Sequence, residues 1–212
     1  MNRRHVLLAV LPLILSSCST VQYAVLEKAG IPKRKVMAGR VEKARDTQEE
    51  TKEEFRTALE QFSELTNFRG GDLEATYKRL EGVYKGCEGR ASEVKKRNDA
   101  VADVSRALFK EWEGEIAEYE NPRYAQQSRS QLADAQRRYD SLMVAMRRAE
   151  SRIDPVLRAF RDQVLFLKHN LNSQAIASLR DEVQRIEFDV SNLIREMETA
   201  IAEADAFIAT LR

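Results

Sequence analysis

The chain has 212 residues, with 35 Lys and Arg against 34 Asp and Glu, a balance that removes the strongly basic profile of a nucleic-acid binder. Eight Gly, four Pro, 7% aromatic and 33% charged residues suit long solvated helices rather than a sheet. Two His and two Cys leave little from which to build a metal centre or a nucleophilic site.

The N-terminus reads as an export signal. Arg3 and Arg4 precede the apolar stretch Val6 to Leu15, which falls well short of the ~20 residues that span a bilayer as a helix. Leu15-Ser16-Ser17-Cys18 follows and resembles the bacterial lipobox, which implies cleavage before Cys18 and acylation of that residue. An ordinary secretory signal with an incidental Cys, or an uncleaved cytosolic leader, is the alternative. Two or three acyl chains exceed what stable anchoring needs, at ~0.8 kcal/mol per buried methylene. Position 19 is Ser rather than Asp, which by the sorting rule that accompanies the lipobox implies the outer membrane, facing the periplasm. Loss of Arg3 and Arg4 with the leader brings the 35 basic residues to 33 against 34 acidic, so no electrostatic steering is implied. The expected organisation is a signal peptide over 1–17, the lipidated Cys18 and a tether over 18–32, and a helical domain over 33–212.

Four helices follow in chain order. Val21 to Ala29 is mildly apolar and is closed by Gly30 and Pro32, suiting a tether or short helix, with Pro32 placed for the first turn of what comes next. The first long helix is expected to run to about Asn67, with Val41, Ala44, Gln48, Thr51, Phe55, Ala58, Phe62 and Leu65 three and four apart on one stripe. Gly70-Gly71 supplies a stop, and Asp72 an N-cap for the second helix.

That second helix carries a seam from Leu73 through Tyr77, Leu80, Tyr84, Cys87, Ala91, Val94, Asn98, Val101, Ser105, Leu108 and Trp112 to Tyr119. Asn121-Pro122 caps and starts the third, whose seam runs from Leu132 to Leu167 and stays in phase across Pro155, so a kink is expected there rather than a break. After Asn170 to Ser173 the fourth helix holds the cleanest seam, Ile176 to Leu211. Short connections between such helices give an all-α, elongated up-down-up-down antiparallel bundle with coiled-coil-like packing. The two central helices would reach ~70 Å at ~1.5 Å per residue, and the outer two are shorter, so the turn at Asn121-Pro122 should project.

At this point the chain resembles a proteobacterial lipoprotein family of unknown function, domain-of-unknown-function family 2959, over nearly the whole of its mature length. The resemblance rests on stretches such as Glu27-Lys28-Ala29-Gly30-Ile31, Gly70-Gly71-Asp72-Leu73-Glu74, Ala107-Leu108-Phe109-Lys110-Glu111-Trp112-Glu113, Asp154-Pro155-Val156-Leu157 and Lys168-His169-Asn170-Leu171-Asn172. It implies no activity and no site. Members are sometimes labelled DNA-repair ATPases, but the chain has no Gly-x-x-x-x-Gly-Lys-Ser/Thr loop, and Gly70-Gly71 lacks the Lys and hydroxyl that a phosphate cradle requires.

The remaining chemical candidates read as structural. His169 lies at the end of the third helix without a ligand-spaced partner, where a cation near a helix C-terminus is favourable, and no metal or other cofactor is expected. Cys87 sits on a seam and reads as a buried thiol, its only possible partner being the acylated Cys18. Gly82, Gly86 and Gly89 recur on a face of the second helix away from its seam, which suggests bending or the close approach of another backbone. Asn98, Ser105 and Gln163 place polar atoms on seams, where they can bond across helices and fix register. Val164-Leu165-Phe166-Leu167 is apolar over more than one face and is expected to lie covered by the fourth helix or the first hairpin, an exposed patch being the alternative.

Phe109, Trp112, Tyr119 and Tyr124 cluster near the projecting turn, on the end from which the tether leaves, and form the candidate contact surface. Residues Val21 to Ile31 folding back over these rings is the alternative. The expected role is non-catalytic: a lipid-anchored envelope scaffold or adaptor that binds the membrane through Cys18 and another envelope protein through its tip. The competing expectation is an envelope enzyme or accessory subunit acting on cell wall or lipid.

Overall fold

A computed structural model describes residues 30–66, 72–170 and 173–211. The signal peptide, Cys18, most of the tether, Phe68 and the Gly70-Gly71 turn lie outside those residues, as does the side chain of Leu65. Four helices account for nearly all of the described chain: α1 (Lys33–Thr66), α2 (Leu73–Glu118), α3 (Pro122–His169) and α4 (Ser173–Leu211). Each packs against its chain neighbours, and α4 closes the ring against α1. The result is the expected all-α antiparallel bundle.

Local chemistry sets the ends of these helices. The Asp72 carboxylate accepts from the backbone N–H groups of Glu74 and Ala75 at 2.9 and 3.1 Å, giving α2 its N-cap. Asn121 accepts from the Arg123 N–H at 2.9 Å, and Pro122 takes the first position of α3, where its missing N–H leaves no bond unmade. Pro32 lies just ahead of α1 rather than within its first turn, and its carbonyl accepts from the N–H groups of Lys35 and Val36. At the far end of α3, Asn170 donates its backbone N–H to Leu167 and its side-chain Nδ2 to Phe166, satisfying two terminal carbonyls. Helix α3 continues through Pro155, whose neighbours Ile153 and Val156 are both buried, so the seam holds across it.

The four seams meet in one core. Phe160 of α3 stacks on Phe62 of α1 at 4.5 Å between ring centroids and on Phe55 at 6.2 Å, which ties the diagonal of the bundle together. Helix α4 buries Ile176, Leu179, Val183, Ile186, Val190, Leu193, Met197, Ala200, Ala204 and Phe207 as its spacing predicts. Ion pairs stitch each adjacent pair of helices: Arg90 with Glu50, Asp99 with Arg147 at 2.6 Å, Arg148 with Glu196 at 3.5 Å, and Arg45 with Asp205 at 2.8 Å. Exposed pairs of this kind contribute about 0–1 kcal/mol each, so the apolar seam and not the charges holds the fold.

Several expectations change in detail. Tyr119 does not continue the α2 seam, because the helix ends at Glu118 and Tyr119 follows as an exposed residue; Ile116 is buried at that level instead, and Val104 joins the core higher up. Of Gly82, Gly86 and Gly89 on α2, Gly86 alone has a close neighbour among the described residues: a Cβ there would sit 2.7 Å from Oε1 of Glu54, a side chain of α1, while Gly82 and Gly89 face open space. The approach at Gly86 is therefore intramolecular. In the run at 164–167, Val164 and Leu167 are buried as seam residues, whereas Leu165 and Phe166, off the seam, stay 44% and 38% exposed.

The stack at Phe160 should dominate stability. Replacing Phe160 with Ala is expected to lower unfolding free energy by about 3–5 kcal/mol, and Asp72→Ala by only about 1 kcal/mol through the lost cap. Urea titrations of both variants check the ranking; equal effects would mean the stack carries no special weight.

Candidate functional site

The helices differ in length: α1 has 34 residues and α4 has 39, against 46 for α2 and 48 for α3. The difference shows at the end where α1 begins and α4 stops. Lys33, the first residue of α1, pairs with Glu111 of α2 at 3.0 Å, and Arg34 donates to the carbonyls of Leu211 and Thr210 at the end of α4. Among the described residues, α2 and α3 alone continue beyond that level, and Trp112–Glu118 extend the overhang by about 10 Å at ~1.5 Å per residue. The turn at Asn121-Pro122 thus projects at the end where the chain enters the bundle.

The four candidate aromatics divide into two pairs. Phe109 is partly buried and meets Tyr139 edge-on, with centroids 5.4 Å apart and planes at 77°. Trp112 donates its indole N–H to Ser128 Oγ at 2.8 Å, a hydroxyl that its position on α3 makes available but that no motif marks. Tyr119 and Tyr124 stand at the turn, 48% and 58% exposed. The first pair belongs to the α2–α3 packing and the second faces solvent.

Where α1 and α4 stop, a cleft of about 530 Å3 opens against the flank of the overhang. Met37, Leu108, Phe109, Trp112, Phe207 and Leu211 contribute its apolar surface, and Pro32 stands at its edge. The rim carries both signs of charge, including Lys33, Glu111, Asp134 and Arg138, and the Lys33–Glu111 pair spans it. Residue spacing alone gives no warning of this cleft, because it arises from the mismatch in helix lengths. Such a surface can take apolar groups, since its lining combines hydrocarbon and aromatic rings with a charged rim.

The other candidates lie elsewhere. Among the described residues, no group of three or more His, Cys, Asp or Glu stands close enough to hold a metal ion. His169 is exposed at the C-terminal end of α3, at the opposite end of the bundle from the cleft. Cys87 is fully buried, and that burial, reinforced by the nearby Glu54 carboxylate, pushes its thiol up to about 12.

The polar seam residues behave unequally. Asn98 reaches across to α3, donating Nδ2 to the Glu150 carboxylate at 2.9 Å and to the Met146 carbonyl at 3.3 Å. Glu150 also accepts from Arg147, which bridges on to Asp99; that contact holds the Asp99 carboxyl below its usual range. Ser105 bonds back to the Val101 carbonyl of its own helix at 2.7 Å and also reaches across to Met37 Sδ on α1 at 4.0 Å. Gln163, and likewise Gln48 on α1, bury both amide atoms without a partner among the described residues.

Comparison with known proteins adds the family. The family model described as "Protein of unknown function (DUF2959)" matches residues 22–211, and the chain belongs to that family. No curated protein and no solved structure matches it.

Two outcomes follow from these side chains. Gln48→Met should raise stability by about 1–3 kcal/mol, since it removes a buried amide without bonds while keeping the volume; a loss of stability in urea titration would show that the amide is satisfied in solution. Native Cys87 should resist maleimide at pH 8 and react on unfolding. The unfolded thiol loses its proton near its ordinary value of ~8.5 while the folded one holds it to about 12, so stability should fall as pH rises through that window.

Proposed function

We propose that this protein is a lipid-anchored, periplasm-facing lipoprotein of the proteobacterial outer membrane, a non-catalytic helical scaffold or adaptor for another envelope protein. The observation that carries the reading is the order of basic residues, apolar stretch and Leu-Ser-Ser-Cys at Cys18, followed fourteen residues later by Pro32 at the entrance to the bundle. A chain that acquires two or three acyl chains at that position stays at a membrane surface. No described helix is long and apolar enough to cross a membrane.

The overhang supports the adaptor role. It lies at the anchored end, carries Tyr119 and Tyr124 in solvent, and joins onto a continuous apolar core. Tyrosine suits such a contact because it offers a large apolar face and a hydroxyl at little conformational cost.

Cys18→Ala should free the protein from the membrane fraction or arrest it in its unprocessed form. Fractionation and gel migration identical to the parent chain would remove the lipoprotein reading. With a photo-crosslinker at Tyr124 in intact cells, one discrete envelope protein should be captured, and Tyr119→Ala should weaken that capture; no adduct from the tip would remove the adaptor role.

A further inference from the structure

We propose that the cleft beside the overhang is the seat of the protein's own residues Val21 to Ala29, which pack against Phe109 and Trp112 and complete the bundle where α1 and α4 stop short. This is independent of whether Cys18 is acylated, and it leaves Tyr119 and Tyr124 as the open surface of the tip.

Three observations select this occupant over a second copy or a lipid chain. The first is position: Pro32 and Lys33 line the cleft, so the chain that precedes them must arrive at its rim. Gly30 has φ +76°, a conformation that lets the chain turn sharply there and that other residues adopt with difficulty. The second is composition and reach. Val21-Gln22-Tyr23-Ala24-Val25-Leu26 supplies apolar side chains for an apolar surface, and nine residues reach at most ~30 Å extended, enough to run the length of an overhang of about 10 Å. The third is the family boundary. The matched model begins at residue 22, ahead of Lys33 where α1 starts, so the stretch before the bundle is part of the unit that recurs in the family. A segment tethered at the rim also competes at an effective concentration on the order of millimolar, which a free ligand must exceed.

The full-length, membrane-resident protein tests this with a photo-reactive benzoylphenylalanine in place of Phe109. Mass spectrometry should find the adduct within residues 21–29 of the same chain, and mixing isotopically heavy and light protein separates that from an adduct between copies. Val25→Asp combined with Leu26→Asp should abolish the adduct. In the chain that retains Phe109, the same pair of substitutions should shift the emission of Trp112, the only tryptophan, to longer wavelength and increase its quenching by acrylamide, with helix content unchanged. Adducts to lipid or to a second copy, no adduct at all, or Trp112 emission indifferent to the two aspartates would each overturn the proposal. Cys18→Ala should leave both readouts as they are, which keeps this result distinct from that of the anchoring test.

Discussion

The structure depends on one constraint: four helices of unequal length must keep a single apolar seam in phase along their shared extent. Phe55, Phe62 and Phe160 lock one end of that seam by ring stacking. Leu80, Val94, Val101, Met146, Ile153, Leu193 and Met197 fill it onward, each almost wholly removed from water. Burial of this kind contributes roughly 1.5–3 kcal/mol per large side chain before conformational entropy is set against it, whereas the exposed ion pairs contribute at most about 1 kcal/mol. The up-down order, the neighbours of each helix and the direction of the overhang all follow from satisfying that seam with short turns.

Polar residues modulate the seam in two different ways. Asn98 joins Glu150, Arg147 and Asp99 through its Nδ2 in a network that spans α2 and α3 and forms only in one register, so it penalises sliding of one helix along the other, although its buried Oδ1 has no partner among the described residues. Gln48 and Gln163 give no such return among the described residues. The first arrangement exchanges some stability for specificity, and the second weakens the core at positions where an apolar side chain of equal size would fit.

Most of the fold was legible because each helix repeats its pattern many times and ends on strong local chemistry. Asp72 and Asn121-Pro122 marked boundaries that the hydrogen bonds bear out, and the α4 seam was read almost residue by residue. Periodicity failed where a helix stops: seven residues past Trp112 the pattern lands on Tyr119, but α2 ends one residue earlier and Ile116 turns inward. It also could not assign partners: Ser105 divides its hydroxyl between the Val101 carbonyl of its own helix and Met37 of α1, and Gly86 makes room for Glu54. The candidate site was only half legible. Four aromatics near the turn could be named from sequence, but their division into a packed pair and an exposed pair depends on Ser128 and Tyr139, and the cleft depends on where α1 and α4 stop.

Unequal helix lengths place the overhang at the end where the chain enters the bundle, and the anchor proposed at Cys18 would turn that overhang toward a membrane. Energy transfer to acceptor lipids measures this directly. Full-length, acylated protein in vesicles carries one donor dye at a time, attached to a cysteine introduced by Glu120→Cys at the tip or by Glu74→Cys at the other end of α2; both positions are exposed, and buried Cys87 stays unlabelled. These sites lie about 70 Å apart along a helix rising ~1.5 Å per residue. Transfer should be strong from position 120 and near background from position 74. Equal transfer from both, or stronger transfer from position 74, would contradict a tip that faces the membrane.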